Sequence, residues 1–491
     1  MPDHTTHRST SPAAVSRRGF LATAGAAGAT VAGLGTTTAH AAPGTTLVRT
    51  PAELDAAIAG AGPGSTIMMG NGVWRDLGLV FRGSGTQAQP ITLRAQTPGM
   101  AILSGASYLQ IVGEHLVVDG LVFRDGAAPP DIQHLIGFSD AEDDGKDDPA
   151  VTYSSHCRLT NTVVDGFSKP DPEIRDSWVG IWGQHNRVDH CAFMNKTSRS
   201  LLIVGRGFDE RPTYSRVDNN YFADIPDTEY SAGTVIMSLD KTDSLTDGRD
   251  VIEQNVFENL QGRGRIVSLK CSHSTIRDNT FWRASGSICS RSGSFNTVER
   301  NFIFPGLEER DGFFTGGMLM IGEGHVIRGN YVQGCTRWGR EALALYEGDA
   351  DNAPGVGSYY PTKDVVVANN TFIHNYRTIT VGMLYDPEKG IDVPVENITY
   401  RDNAILGDDT SPLRLINELD PPIGDIVHEG NMFLGGNVDD LGDLPGVDIA
   451  DPGLVEQADG TYRYSDSSPL RHNITTSPRR KADVGPTWKW D

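Results

Sequence analysis

The chain has 491 residues, with 42 basic and 63 acidic side chains and a formal charge of −21. That balance excludes general binding to nucleic acid or anionic membranes, although a local basic groove survives it because fields are screened beyond about 10 Å. Glycine is abundant at 56 residues and aromatics make up only 8%, the profile of a turn-rich β protein with enough apolar residues for a long core. This length usually means about three domains, a rule that structures growing by stacking escape. The five cysteines (Cys157, Cys191, Cys271, Cys289, Cys335) show no CxxC spacing. They read as small buried apolar residues; a disulfide between two of them stays open but cannot be assigned.

Residues 1–41 read as an export signal. Ser16-Arg17-Arg18-Gly19-Phe20-Leu21 has the form of a twin-arginine motif, a small-residue apolar run follows to Leu34, and Ala39-His40-Ala41 offers a cleavage site. The run is too short and too rich in Gly and Ala to span a bilayer. The expectation is a mature chain of residues 42–491, secreted by a bacterium and folded before it crosses the membrane. Thr50-Pro51-Ala52-Glu53 is a capping box with proline at the first helical position. The helix it opens runs through Ala59, with Gly60 expected to end it as a left-handed residue, and an amphipathic helix here suits the N-terminal cap of a solenoid.

A repeat then takes over. VDNNYF (Val217–Phe222), IEQNVF (Ile252–Phe257), IRDNTF (Ile276–Phe281), VANNTF (Val367–Phe372) and looser copies place asparagines at 220, 255, 279, 301, 330, 370, 403 and 431, separated by 35, 24, 22, 29, 40, 33 and 28 residues. A minimum near 22 residues fits three short strands and three turns, longer intervals being coils with one extended loop. Asparagine tolerates the left-handed conformation at a bend and can hydrogen-bond its copies in adjacent coils, so these residues read as structural ladders. Period-two alternation without long helical stretches predicts an all-β, single-domain, right-handed parallel β-helix with an N-terminal helical cap. A β-propeller is the alternative, but its blades are more evenly spaced. The stretches after the last repeat, Asp451–Asn473 and Asp483–Asp491, read as final strands and a C-terminal cap.

Within this repeat Lys270 and Arg291 lie 21 residues apart. If each repeat is one coil, they come from neighbouring strands roughly 4.8 Å apart, an amine beside a guanidinium on one face, suited to a negatively charged substrate. Cys271, next to Lys270, should point the other way, into the core.

Four stretches follow one another along the chain: Gly183-Gln184-His185-Asn186-Arg187-Val188-Asp189-His190-Cys191-Ala192-Phe193 with Lys196-Thr197, Ser268-Leu269-Lys270-Cys271-Ser272, Ser290-Arg291-Ser292-Gly293 and Gly322-Glu323-Gly324-His325. Taken together they resemble the β-helical polysaccharide lyases that include alginate lyases and chondroitinase B (polysaccharide lyase family six). The resemblance spans residues 45 to 490 and implies Lys270 as catalytic base and Arg291 as acid. It also implies a calcium site built from an asparagine and two glutamates, and there this sequence departs: the corresponding positions are Ser231, Arg263 and Arg265. The histidine expected after Arg291 is Ser292, and an arginine expected before GEGH is Leu319. The expectation is therefore no metal and no cofactor.

The chemistry implied is β-elimination on a uronate polymer. A base removes the C5 proton, the C4–O bond breaks, and a fixed cation must face the carboxylate to stabilise the charge that develops. Arg265, with Arg263, is expected to supply it through a bidentate guanidinium–carboxylate pair. Lys270 must be neutral to act, and neighbouring arginines would depress its pKa. Arg337, Trp338, Arg340 and Tyr346 form a basic-aromatic cluster suited to sugar binding, and His185 reads equally as a substrate contact or as a structural histidine. The expected partner is an acidic polysaccharide, alginate first and a dermatan- or chondroitin-type glycosaminoglycan next, bound by a monomer. A glycoside hydrolase, which needs two carboxylates about 5–9.5 Å apart, and a non-catalytic glycan-binding protein are the rival readings.

Overall fold

A computed structural model describes residues 44–142, 150–171, 173–197, 202–204, 211–225, 235–237, 246–305, 316–335, 341–349, 360–382, 385–407, 416–418, 423–436 and 443–490. The repeat unit explains the architecture. In Ile252–Phe257 the isoleucine points into the core from one short strand (Val251–Glu253), Gln254 turns the corner, Asn255 points inward, and Phe257 enters the core from the next strand. Each strand pairs in parallel with its counterpart one coil away, so Val188, Val217, Ile252, Ile276, Val298, Ile327 and Val367 form one buried column. Phe193, Phe222, Phe257 and Phe281 form another, with ring centroids 5.3, 4.9 and 4.7 Å apart. The result is a right-handed parallel β-helix of three sheets: sheet 1 with Val251–Glu253, sheet 2 with Thr280–Trp282, and sheet 3 with Ser285–Ser290.

The asparagine column is a continuous hydrogen-bonded ladder at the corner between sheets 1 and 2. Asn255 Oδ1 accepts the backbone N–H of Asn220 at 2.9 Å and its Nδ2–H at 3.0 Å, and the same pair of bonds recurs from Asn255 to Asn279 and onward through Asn301, Asn330, Asn370, Asn403 and Asn431. One detail differs from expectation. The left-handed residue is the one before each ladder asparagine (Asn219, Gln254, Asp278, Arg300, Gly329, Asn369, Asp402, Gly430). The apex of the bend takes the positive φ with its side chain outward, which leaves the next residue free to aim its amide into the core.

At the N-terminus the helix Pro51–Ala59 forms as expected. Thr50 Oγ1 accepts the Glu53 N–H at 3.2 Å, and the Glu53 carboxylate accepts from Arg49 rather than from Thr50 itself. Leu54 is fully buried against the first coils. Gly60, however, is right-handed at φ −90°, its N–H bonded back to Ala56. The C-terminal stretch is likewise not an end cap. After the antiparallel hairpin Leu454–Glu456 with Tyr462–Tyr464, the chain runs back along the outer face of sheet 2. Trp282 donates to Arg479 O, Gly485 to Asn219 O, and Trp488 to Asn161 O. The outer flank of sheet 2 is aromatic (Trp282, Phe304, Tyr331), and this segment covers it.

Sheet 1 keeps its outer face polar with a ladder of ion pairs: Arg158–Asp189, Arg187–Asp218 and Arg216–Glu253, the acids fully buried or nearly so. Burial opposes ionisation of Asp189, but hydrogen bonds from Arg158 and His190 and the charges of Arg158 and Arg187 outweigh it and hold its pKa below 3.8. Glu299 is lowered in the same way, against burial, by Arg328 and Arg300.

Two outcomes are expected. Asn279→Ala removes buried bonds on both sides of one coil and costs about 2–4 kcal/mol, read as a lower denaturant midpoint. The depressed carboxylates stabilise the fold above their unfolded pKa and lose that contribution as pH falls through the folded value, so stability drops below about pH 4. Asp189→Asn should flatten that acid limb in a stability–pH series.

Candidate active site

Among the described residues the chain breaks into two strands at the corners between sheets 2 and 3, with one exception. Val256–Leu269 is a single 14-residue strand that turns the corner. Its register with Ser285–Ser290 slips between Gln261 and Gly264 and again between Arg265 and Val267. The asparagine spacing across this coil is 24 residues while Lys270 to Arg291 spans 21, so the corner accommodates three additional residues. The slip falls on Gln261-Gly262-Arg263-Gly264-Arg265, where the backbone alone is described; Arg265 pairs with Ser287.

From there the strand alternates. Val267, Leu269 and Cys271 enter the core, leaving Ser268 and Lys270 on the outer face. Leu269 pairs with Ser290, and the Arg291 N–H donates to Leu269 O at 3.2 Å. Lys270 and Arg291 therefore occupy adjacent positions, one coil apart, both half-buried. Gly293 makes this closeness sterically feasible: its φ is +100°, and a Cβ there would lie 2.3 Å from Cys271 O.

The same row of the outer face continues in both directions. Ile321 and Tyr346 follow Arg291, and Trp182 lies three coils before Lys270. Tyr346 is thus two coils, roughly 10 Å, beyond Arg291; it is buried, with its hydroxyl 3.3 Å from Glu341, which also takes Arg377. Arg337, Trp338, Arg340 and Ser231 lie outside the described residues. His185 is not beside Lys270. It sits at the corner between sheets 3 and 1 in the Trp182 coil, stacked between His156 at 4.6 Å and Tyr214 at 4.8 Å, so that only its ring edge is available. His190 is bonded to Asp189 at 2.7 Å, and the fully buried Lys196 to Asp176 at 2.8 Å. Both residues of that block serve the fold.

Sequence reasoning missed Trp182, although its place in the Lys270 row follows from coil counting. It also treated the cysteines alike. All five are buried thiols outside any disulfide, but Cys289 faces outward between Ser268 and Leu319, while the other four lie in the core.

The donor set at positions 263 and 265 does not fit a cation. Guanidinium groups donate and have no lone pair to offer a metal.

A parallel β-helix with a lysine and an arginine paired on adjacent coils defines the class as the β-helical polysaccharide lyases. The family profile for chondroitinase B matches residues 48–401, and the chain belongs to that family, polysaccharide lyase family six. Among solved structures, a mutant of the PL6 family alginate lyase AlyGC is 29% identical with a TM-score of 0.80, covering 91% of this chain and 59% of that one. This chain thus spans about three-fifths of that protein's length. The PL6 family polysaccharide lyase Pedsa3628 from Pseudopedobacter saltans is 26% identical, with a TM-score of 0.70 and coverage of 91% and 100%. A mannuronic acid specific family 6 lyase from human gut microbiota shares the fold at 23% identity and a TM-score of 0.70, covering 91% and 96%. Comparison with curated protein sequences gives no match.

Gly293→Ala should separate the two cations by forcing the Cys271 carbonyl away. The expected result is at least a tenfold loss of turnover in a protein whose circular dichroism is unchanged.

Proposed function

We propose that this protein is a secreted polysaccharide lyase that cleaves a uronate-containing polymer, alginate first, by β-elimination without calcium. The observation that carries the reading is the register that sets Lys270 beside Arg291 on a coil whose corner holds Arg263 and Arg265. Lys270 as the neutral amine takes the C5 proton, the electron pair of that C–H bond forms the C4–C5 double bond, and the C4–O bond breaks. Arg265, with Arg263, faces the substrate carboxylate and stabilises the charge that develops there. Five residues separate Arg265 from Lys270, roughly 16 Å along an extended strand, a span that two long side chains can close around one sugar. Arg291 polarises the leaving oxygen, and because a guanidinium is a poor proton donor, a water completes that transfer.

Alginate is favoured because the 29% identical neighbour is described as an alginate lyase. A dermatan- or chondroitin-type substrate is the second reading, favoured by the name of the matching family. Export by the twin-arginine route would deliver residues 42–491 to the polymer; among the described residues no helix is long and apolar enough to cross a membrane.

The test is a lyase assay on alginate block polymers and glycosaminoglycans, with and without a chelator. An unsaturated product is expected in EDTA, with Lys270→Ala lowering turnover about 10²–10⁴-fold. A requirement for added calcium would sink the arginine substitution. Activity surviving in Lys270→Ala would sink the base assignment, and binding without turnover would leave a glycan-binding protein.

A further inference from the structure

At the corner between sheets 3 and 1 each central coil brings in one polar residue, two places before the core residue of sheet 1. These are Ser215, Asp250, Ser274, Asn296 and His325, all buried. They form a second ladder. Asp250 Oδ1 accepts the Ser215 N–H at 2.8 Å, Ser274 Oγ accepts from Asp250 at 3.3 Å, Asn296 Oδ1 accepts from Ser274 at 2.8 Å, and His325 Nδ1 accepts from Asn296 at 3.2 Å. Unlike the asparagine ladder, its residue type changes at nearly every coil, and it passes directly beneath the cation pair.

Asn296 makes the connection. Its Nδ2 group donates to the carbonyl of Cys271 at 3.0 Å and to Ser290 Oγ at 3.3 Å. Cys271 follows Lys270 and Ser290 precedes Arg291, so one buried amide ties together the two coils at positions flanking both cations. His325 fixes Asn296 in turn. Its Nδ1 accepts the Asn296 N–H while Nε2–H donates to Ile321 O at 3.0 Å. Ile321 is the next residue in the Lys270–Arg291 row. Complete burial pushes the His325 imidazole down to about 4, so the ring stays neutral, with one nitrogen accepting and the other donating, wherever a neutral lysine can act. Packing leaves little slack: a Cβ on Gly322 would lie 2.3 Å from Gly293 O and 3.0 Å from His325 Nε2.

We infer that Asn296 and His325 are positioning residues that set the separation of Lys270 and Arg291. The inference rests on the lyase reading above for its kinetic consequence. For its structural consequence it rests on geometry alone. Displacing reacting groups by about 1 Å costs on the order of 10²-fold in rate, whereas substrate binding depends mainly on the outer-face cations, which the clamp does not touch.

The experiment compares full-length Asn296→Ala, His325→Ala and His325→Asn with wild type. Three quantities are measured: kcat and KM on the polymer that wild type cleaves, amide hydrogen exchange by coil, and the acylation rate of Lys270 by mass spectrometry. Expected for Asn296→Ala is a 10- to 100-fold fall in kcat with KM within about twofold. Exchange should quicken at residues 269–292 while the flanking coils stay protected, and Lys270 acylation should change. His325→Ala should follow it, and His325→Asn, which keeps an acceptor for Asn296, should recover most of kcat. Wild-type kcat in folded Asn296→Ala, or loss of protection spread evenly over all coils, would overturn the inference. If Asn296→Ala does not fold, His325→Ala, which leaves the Asn296 amide in place, decides by the same readings. Should wild type yield no unsaturated product from any polymer, the lyase reading fails. Exchange and acylation then decide the clamp separately, unchanged values in both overturning it.

Discussion

Every inward-pointing amide in this protein must find its partner in the next coil. A parallel β-helix places polar corners against its core, and a buried donor or acceptor left unpaired costs about 1–3 kcal/mol. The asparagine ladder from Asn220 to Asn431 meets that constraint by giving each corner the same side chain at the same place, each Oδ1 from Asn255 onward accepting two bonds from the coil before it. Because a one-residue slip would break those bonds and turn the core phenylalanines outward, the ladder fixes the register of the coils it crosses. Loop length can then vary from coil to coil without moving the strands.

The candidate site depends on that rigidity. Lys270 and Arg291 are neighbours only because Leu269 and Ser290 are in register, and they stay so although the coil that carries Lys270 takes up three additional residues just before it, at the corner between sheets 2 and 3. The bulged corner carries Arg263 and Arg265. A bulge next to a rigid strand is a common device for aiming side chains. Sheets 1 and 2 take no part in this. The first is sealed by buried ion pairs, the second by the C-terminal strap, which leaves the outer face of sheet 3 for function.

Much of the fold was legible because its period is written in single residues. The repeat with its apolar residue, asparagine and phenylalanine encodes two core positions and an inward amide between them, whereas the left-handed bend, expected at the asparagine, falls on the residue before it. Where the reading went astray, the cause was local. Gly60 suggests a left-handed stop, but its N–H finds Ala56 O in a right-handed turn. The final hairpin and tail look like a cap when read as sequence, yet the aromatic flank of sheet 2 draws them back along the helix. The second ladder escaped notice because serine, aspartate, asparagine and histidine share no letter pattern. Only their common place at the corner unites them.

Sequence alone determined the stack, the spacing that pairs Lys270 with Arg291, and the presence of two arginines at positions 263 and 265, since each depends on residue type and separation along the chain. Tertiary structure decided which of the remaining conspicuous residues stand near that pair. It set His185 around a corner between two stacked rings and Tyr346 two coils away on Glu341, while bringing Asn296 and His325 directly beneath the cations. The physical reason is that proximity across coils depends on strand register and on the direction each side chain takes at a bend, and neither is a property of any one residue.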